Sequence, residues 1–313
     1  MQNYEIKSLA IQKKFEAYKS QNPDKLKTRL KRSWSTWMFG REPLELSAKR
    51  LHDNGLSWIE LKADRQTPDS GVSLQCVRRI LDRYELKVSG ACGLFSPEND
   101  LASNNAFTIQ RAKDYIKREL EFLYEVGATY FIIVPSAVGR TEPIDAWDME
   151  RSVETLRSLA GYFDAAGVKA AIEPIRSAEV SLIHSIDEVK DYIKRVNHPA
   201  IACINADTYH MLTEEEHIGQ SILNCASALI NLHVADSNRS APGSGMIDFV
   251  TVIRALYLMG YNNRQAFVTC EPLGPVLNPY ARVNAFYNAE TMDELVRRSM
   301  ETLCRIEDTL VNE

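Results

Sequence analysis

Eight short apolar runs, each followed by a stretch with helical periodicity, constrain this chain more than anything else in it. The runs fall at residues 34–39, 57–61, 86–92, 130–134, 168–173, 200–207, 229–233 and 266–271. Helical patterns fill the gaps at 43–54, 74–84, 108–126, 149–166, 186–196, 215–228 and 249–259. In the second of these, positions 76, 77, 80, 81 and 84 share one apolar stripe. Strict strand–helix alternation implies a parallel sheet with right-handed crossovers. Eight such units predict closure into a (β/α)8 TIM barrel, which typically takes about 250 residues; the chain has 313. No Gly-x-Gly-x-x-Gly follows the first run and no Walker-type loop is present, which disfavours an open dinucleotide-binding sheet.

The rest of the chain frames that barrel. Residues 1–32 carry nine Lys or Arg against three acids and no strand pattern. They read as a basic helical N-terminal extension, with Leu9, Ile11 and Phe15 as a weak apolar face. Residues 33–313 read as a single barrel domain, with extra C-terminal helices at 281–289 and 292–312. The loop at 136–145 is long enough for a lid. His52 and His217 fall on helices and are expected to face solvent. Trp34 and Trp37 are expected either in the core or as an apolar wall of a pocket.

Composition excludes several classes. A formal net charge of −5 argues against a duplex-wide nucleic-acid grip. No apolar run approaches the roughly 20 residues that span a bilayer, and no apolar leader opens the chain. Cysteines 76, 92, 203, 225, 270 and 304 are scattered, without a Cys-x-x-Cys pair. Buried free thiols in a reducing cytoplasm are therefore expected.

The last four apolar runs end in Glu173, Asp207, His233 and Glu271, spaced by 34, 26 and 38 residues. Strand ends of a parallel barrel share one rim, where active sites of this architecture lie. A carboxylate at one strand end is often only a helix cap, and a lone His is often a hydrogen-bonded core residue. Four in consecutive units predict one divalent-metal site, and three carboxylates with one imidazole suit a cation of intermediate hardness. Glu179, His210 and Arg239 follow these ligands closely, with Pro242-Gly243-Ser244-Gly245 forming a tight turn that carries Arg239 over the mouth.

These segments resemble the xylose-isomerase-like TIM-barrel superfamily, and within it the ketose 3-epimerase branch. The residues that carry the resemblance are Ile172-Glu173-Pro174 with Glu179, and Asp207-Thr208-Tyr209-His210-Met211 with Glu214-Glu215. His233 with Asn238-Arg239-x-x-Pro242-Gly243-x-Gly245, Glu271-Pro272 and the stretch 148–154 complete the set. The similarity is strong over about 146–275, weaker over 33–145 and absent over 1–32. It implies that Glu173, Asp207, His233 and Glu271 bind one Mn²⁺, Co²⁺ or Mg²⁺, and that Glu173 and Glu271 are also the acid/base pair. Glu179, His210 and Arg239 match substrate-binding positions. The implied partner is a small sugar, and the implied assembly a homodimer or homotetramer.

The chemistry explains that set. A cation stabilises the enediolate that forms when a proton leaves carbon beside a carbonyl. One carboxylate removes the proton and a second returns one, inverting the carbon. An aldose–ketose isomerase would use the same site; a keto-cyclitol dehydratase, an apurinic endonuclease and a non-catalytic sugar-binding barrel are more remote. The chain departs from the branch at Ser89-Gly90-Ala91-Cys92-Gly93, at 133–139 and at 174–179, all around the far end of the sugar. Metal and proton-transfer chemistry therefore carries over better than substrate identity.

Overall fold

The computed structural model describes residues 2–273 and 288–312. The elements run α1 (Asn3–Gln21), β1 (Lys31–Trp34), α2 (Leu44–Asp53), β2 (Trp58–Ala63), α3 (Leu74–Arg83), β3 (Lys87–Gly93), α4 (Ala106–Glu125), β4 (Tyr130–Ile133), α5 (Asp148–Arg157) and α6 (Ala160–Ala166). They continue through β5 (Lys169–Ile172), α7 (Ile186–Val196), β6 (Cys203–Asp207), α8 (Thr208–Glu214), α9 (Ile218–Cys225), β7 (Leu229–Val234), α10 (Phe249–Leu258), β8 (Phe267–Cys270) and α11 (Ala289–Asn312). All eight strands pair in parallel, in the order β1-β8-β7-β6-β5-β4-β3-β2. A parallel bridge between Ser35 and Glu60 joins the two edges. The TIM barrel follows from the alternation, because each helix covers the outer face of strands buried on both sides.

Three expected elements differ. The first strand is Lys31–Trp34, while Thr36–Phe39 is a 3-10 turn. Lys31 and Arg32 do not read as strand residues. Their heads are satisfied elsewhere: Lys31 donates to the Arg264 carbonyl, and Arg32 to the buried carboxylate of Glu307. The helix at 149–166 breaks into α5 and α6, and the one at 215–228 is preceded by α8 and begins only at Ile218. His217 is buried, not solvated: its Nδ1 accepts from the Gln220 N–H at the start of α9, and its Nε2 meets Ser8 at 3.0 Å. The helix expected at 281–289 lies almost wholly outside the described residues.

Helix α1 lies along the barrel. Only Ile11 and Phe15 are buried, with Phe15 edge-on to Tyr257 of α10 at 6.3 Å. Lys19 reaches the Leu310 carbonyl of α11 at 2.8 Å.

The barrel interior is layered. Trp58, Tyr130 and Phe267 plug its lower part, with ring centroids 4.8 Å apart for Trp58–Phe267 and 6.0 Å for Tyr130–Phe267. A hydrogen-bonded polar layer rests on that plug. Asn231 donates to Asn205 at 2.9 Å and accepts from Thr269 at 2.7 Å, and Ser33 meets Ser89 at 2.8 Å. Such a layer is tolerated inside because its members satisfy one another. Gly90 makes it possible: a Cβ there would sit 2.3 Å from the Tyr130 ring, which crosses the interior at that point.

Candidate active site

Strand register sets the site. Asp207 of β6 lies opposite His233 of β7. Glu173 and Glu271 sit one residue past β5 and β8, and their N–H groups donate to Ile133 (3.1 Å) and Val234 (3.0 Å). These bonds extend the ladders by a residue and hold both carboxylates at the rim. Glu173, Asp207 and His233 each offer a ligand atom within 4.8 Å of the others. His233 Nδ1 is 3.5 Å from Glu173 Oε1 and 3.4 Å from Glu271 Oε2. All four residues are buried.

Glu60 is absent from the sequence-derived set and proves central. It is fully buried, and both its oxygens lie 3.1 Å from His233 Nε2. Tyr130 donates its hydroxyl to Glu60 at 2.7 Å, and Asn231 donates at 3.3 Å. A carboxylate only accepts, so Nε2 carries the proton that faces it. Nδ1 is left to face Glu173 and Glu271. The signal in the sequence was an acid inside the apolar run Trp58-Ile59-Glu60-Leu61, since acids are rarely buried unless paired.

Electrostatics mark a place for a cation. Burial, partly offset by His233, pushes Asp207 up to about 6, with Glu173 adding to the rise. Burial likewise drives Glu271 upward, again against His233, with Glu173, Asp207 and Glu60 reinforcing it. Burial alone would strip His233 of a proton, but Glu271, Glu60 and Glu173 override it and raise its pKa well above the ordinary value. Glu271 Oε1 is buried with no hydrogen-bond partner. Four carboxylates around one imidazole, with an orphaned oxygen among them, fit a divalent cation. The donors that would hold it are Glu173, Asp207, His233 Nδ1 and Glu271, an oxygen-rich set with one nitrogen.

Three more sequence-predicted residues arrive at the same mouth. Asp207 Oδ1 caps α8 by accepting from Tyr209 N–H at 2.8 Å, which places His210 one turn along that helix. Burial first, then the charges of Arg239, Arg176 and His233, keep His210 well below its ordinary pKa and hence neutral. Arg239, with φ +55°, stacks over the Tyr209 ring at 4.3 Å and lies 3.8 Å from Glu179. The loop bearing it is tied to Asp236, which accepts from Gly243 (2.7 Å) and Ile247 (3.1 Å). Gly245 is required there, because a Cβ would fall 2.3 Å from Asp236 Oδ1. Glu179 Oε2, His210 Nδ1 and Arg239 Nη1 are buried polar atoms without hydrogen-bond partners. His210 and Arg239 border, with Glu173 and Glu271, a cavity of about 380 Å³ that also touches Trp37 and Cys92; Glu179 is not in its lining and meets it only through Arg239. Trp37 thus stands in the pocket wall, whereas Trp34 is buried and stacks on Phe39 at 5.9 Å.

The loop expected as a lid is fastened down. Arg140 bridges Asp100 (2.9 Å) and Asp148 (2.7 Å), and the Val138 and Gly139 N–H groups donate to Phe95 (3.2 Å) and Glu179 (2.8 Å).

A parallel eight-stranded barrel with an acid-rich, His-containing cluster at its C-terminal rim defines the class. Residues 48–304 match the family model described as xylose isomerase-like TIM barrel, and the chain belongs to that family. It is 27% identical to a ketose 3-epimerase of Arthrobacter globiformis over 234 residues, 74% of this chain and 79% of that one. It is 34% identical to a D-psicose 3-epimerase of Ruminiclostridium cellulolyticum over 171 residues, 54% of this chain and 56% of the relative. A solved L-ribulose 3-epimerase superposes with a TM-score of 0.78 at 18% identity, covering 91% of this chain and 96% of that one. No described helix is long and apolar enough to cross a membrane.

Proposed function

We propose that this chain is a divalent-metal-dependent epimerase that inverts a carbon beside the carbonyl of a non-phosphorylated ketose. The observation that carries this reading is the pair Glu173 and Glu271, which reach His233 Nδ1 from strands on either side of β7. The likeness to ketose 3-epimerases supports it. A cation held by Glu173, Asp207, His233 and Glu271 would supply Lewis-acid stabilisation of the charge that develops on the carbonyl oxygen.

The chain's own residues do the rest. One of Glu173 and Glu271 accepts the proton from the carbon beside the carbonyl, and the other returns a proton to that carbon. Neutral His210 donates or accepts at a sugar hydroxyl, and Arg239 donates to an oxygen that gains charge. Donors preorganised in a buried site cost little reorganisation as charge moves. The unpartnered atoms of His210 and Arg239, which line the cavity, offer one imidazole and one donor-only group to a polyhydroxylated substrate, and Glu179, 3.8 Å from Arg239, would position that guanidinium.

The test is exchange of substrate hydrogen with deuterated water, followed by position in NMR for a panel of ketoses with Mn²⁺, Co²⁺ and Mg²⁺. Exchange with inversion beside the carbonyl is expected, and Glu173→Gln and Glu271→Gln should each abolish it. Normal exchange in both variants would refute the two-carboxylate mechanism. Carbonyl migration would replace the epimerase by an aldose–ketose isomerase.

A further inference from the structure

The barrel interior holds two groups of donors. Glu173, Asp207 and His233 gather at β5, β6 and β7. Glu60, Cys92 and Glu271 form a second group, each offering a ligand atom within 4.8 Å of the other two. They belong to β2, to β3 and to the end of β8. In the closed barrel β8, β1, β2 and β3 are consecutive, so this group occupies the adjoining arc. All three residues are buried, and Cys92 supplies the only sulfur in either group.

Ser35 stands between the two acids of that arc. Its N–H donates to the Cys270 carbonyl of β8 at 3.0 Å, and it bridges Glu60 of β2. Ser33, two residues earlier, points into the barrel, where it meets Ser89. Alternation along an extended chain turns the Ser35 hydroxyl to the same interior. That hydroxyl is fully buried and has no hydrogen-bond partner, an arrangement that costs stability unless a ligand fills it. The two acids also have capacity to spare. Glu60 Oε2 carries the bonds from Tyr130 and Asn231, while Oε1 keeps a lone pair beside its 3.1 Å contact with His233. Glu271 Oε2 faces His233 Nδ1 at 3.4 Å, and Oε1 is the buried oxygen without a partner.

We propose that Glu60, Cys92 and Glu271, with the Ser35 hydroxyl, form a second cation site selective for a thiophilic divalent ion, with Zn²⁺ as its expected occupant. One thiolate and three oxygens make a four-donor set of the kind zinc takes in tetrahedral geometry. Mn²⁺ favours the oxygen-rich group with its imidazole instead. Glu271 bridges the two positions, one oxygen to each. The Cys92 proton passes to solvent as the sulfur binds. Cys92 and Glu271 both border the cavity of about 380 Å³, which supplies the way in. The site concerns cation binding alone, so it does not depend on the epimerase reading.

The experiment titrates metal-free protein by calorimetry with Mn²⁺ and with Zn²⁺, and by absorbance with Co²⁺, whose bond to a thiolate gives a sulfur-to-metal charge-transfer band. One equivalent of Mn²⁺, two of Zn²⁺ and the band with Co²⁺ are expected. Absence of the band from the parent protein, or uptake of a single zinc equivalent, overturns the proposal. Cys92→Ser and Cys92→Ala should each lose the band and the second zinc equivalent and keep the Mn²⁺ equivalent. Both variants retain Cys76, Cys203, Cys225, Cys270 and Cys304, so a band that persists in them overturns the assignment to Cys92. Asp207→Asn, which weakens the first group, should keep the band; its loss there means one shared cation and overturns the second site.

Discussion

Replacing Glu60 by Gln tests how the site is held. Glu60 accepts from three buried donors: His233 Nε2 at 3.1 Å, Tyr130 at 2.7 Å and Asn231 at 3.3 Å. A carboxamide has nearly the same shape but one accepting oxygen, so not all three donors keep an acceptor. Tyr130 can turn toward Ser89 (3.4 Å) or Thr269 (3.5 Å), which lets the fold survive. His233 has no such alternative on Nε2. Its bond falls from charge-assisted, about 1.5–3 kcal/mol, to neutral, about 0.5–1.5 kcal/mol. The difference of about 1–2 kcal/mol is close to tenfold in an equilibrium constant, at the lower edge of the roughly 10–100-fold seen when a metal-bound His loses its outer partner. Calorimetric titration of the metal-free protein with Mn²⁺ should therefore show Kd raised about 10–100-fold in Glu60→Gln, with the folding midpoint little changed. An affinity within twofold of the parent would refute the reasoning, and complete loss of binding would make Glu60 itself a ligand. Glu60→Ala is the poorer probe, because it strands Tyr130 and Asn231 as buried unpaired donors and leaves a cavity.

Other expectations follow from different parts of the molecule. Burial, opposed by the Arg65 N–H and side chain, pushes Glu119 from 4.5 up to about 7, corresponding to about 3 kcal/mol. Because the folded protein binds this proton more tightly than the unfolded chain, the stability is fully present below about pH 4.5 and is lost as pH rises through about 7. Urea denaturation from pH 5 to 8 should show that decline, and Glu119→Gln should flatten it; an equal slope in both proteins would remove Glu119 as its source. Arg140→Ala leaves the buried Asp100 without its ion-pair partner, while Asp148 keeps Arg151. It should cost about 3–5 kcal/mol by denaturant titration and raise KM for the sugar as the cavity wall at Val138 loosens. Gly90→Ala drives a methyl group into the Tyr130 ring and should lower both the melting temperature and the affinity for Mn²⁺, since Tyr130 steadies Glu60.

The parts legible in the sequence share one property: they depend on local periodicity and on where a strand ends. Glu173, Asp207, His233 and Glu271 all stand at the ends of apolar runs, so the rim rule alone brings them together. The outer helices follow from their stripes in the same way, with α7 falling on the expected residues 186–196. The start of β1 was hidden because Lys31 and Arg32 find their partners far along the chain, at Arg264 and Glu307.

Glu60 stands out in its run as an acid among apolar residues, but its partner across the barrel was hidden for a related reason that explains how the site is held. The β2–β3 register slips between Ile59 and Glu60, and the β6–β7 register slips between Ile204 and Asn205. Bulges of this kind re-aim side chains beside active sites, and no pattern within one strand announces them. Glu60 then meets the far nitrogen of His233, while Asn205 donates to Glu173 at 2.8 Å. Both irregularities thus serve residues that orient a proposed ligand, and Asn231, which donates to Glu60 and to Asn205, joins the two. A single-strand pattern shows the groups that would touch a cation; the layer that aims them exists only in the closed barrel. Asn231→Leu, which severs the link without touching any proposed Mn²⁺ ligand, should therefore weaken Mn²⁺ binding in calorimetry more than a substitution of equal volume in the apolar plug beneath.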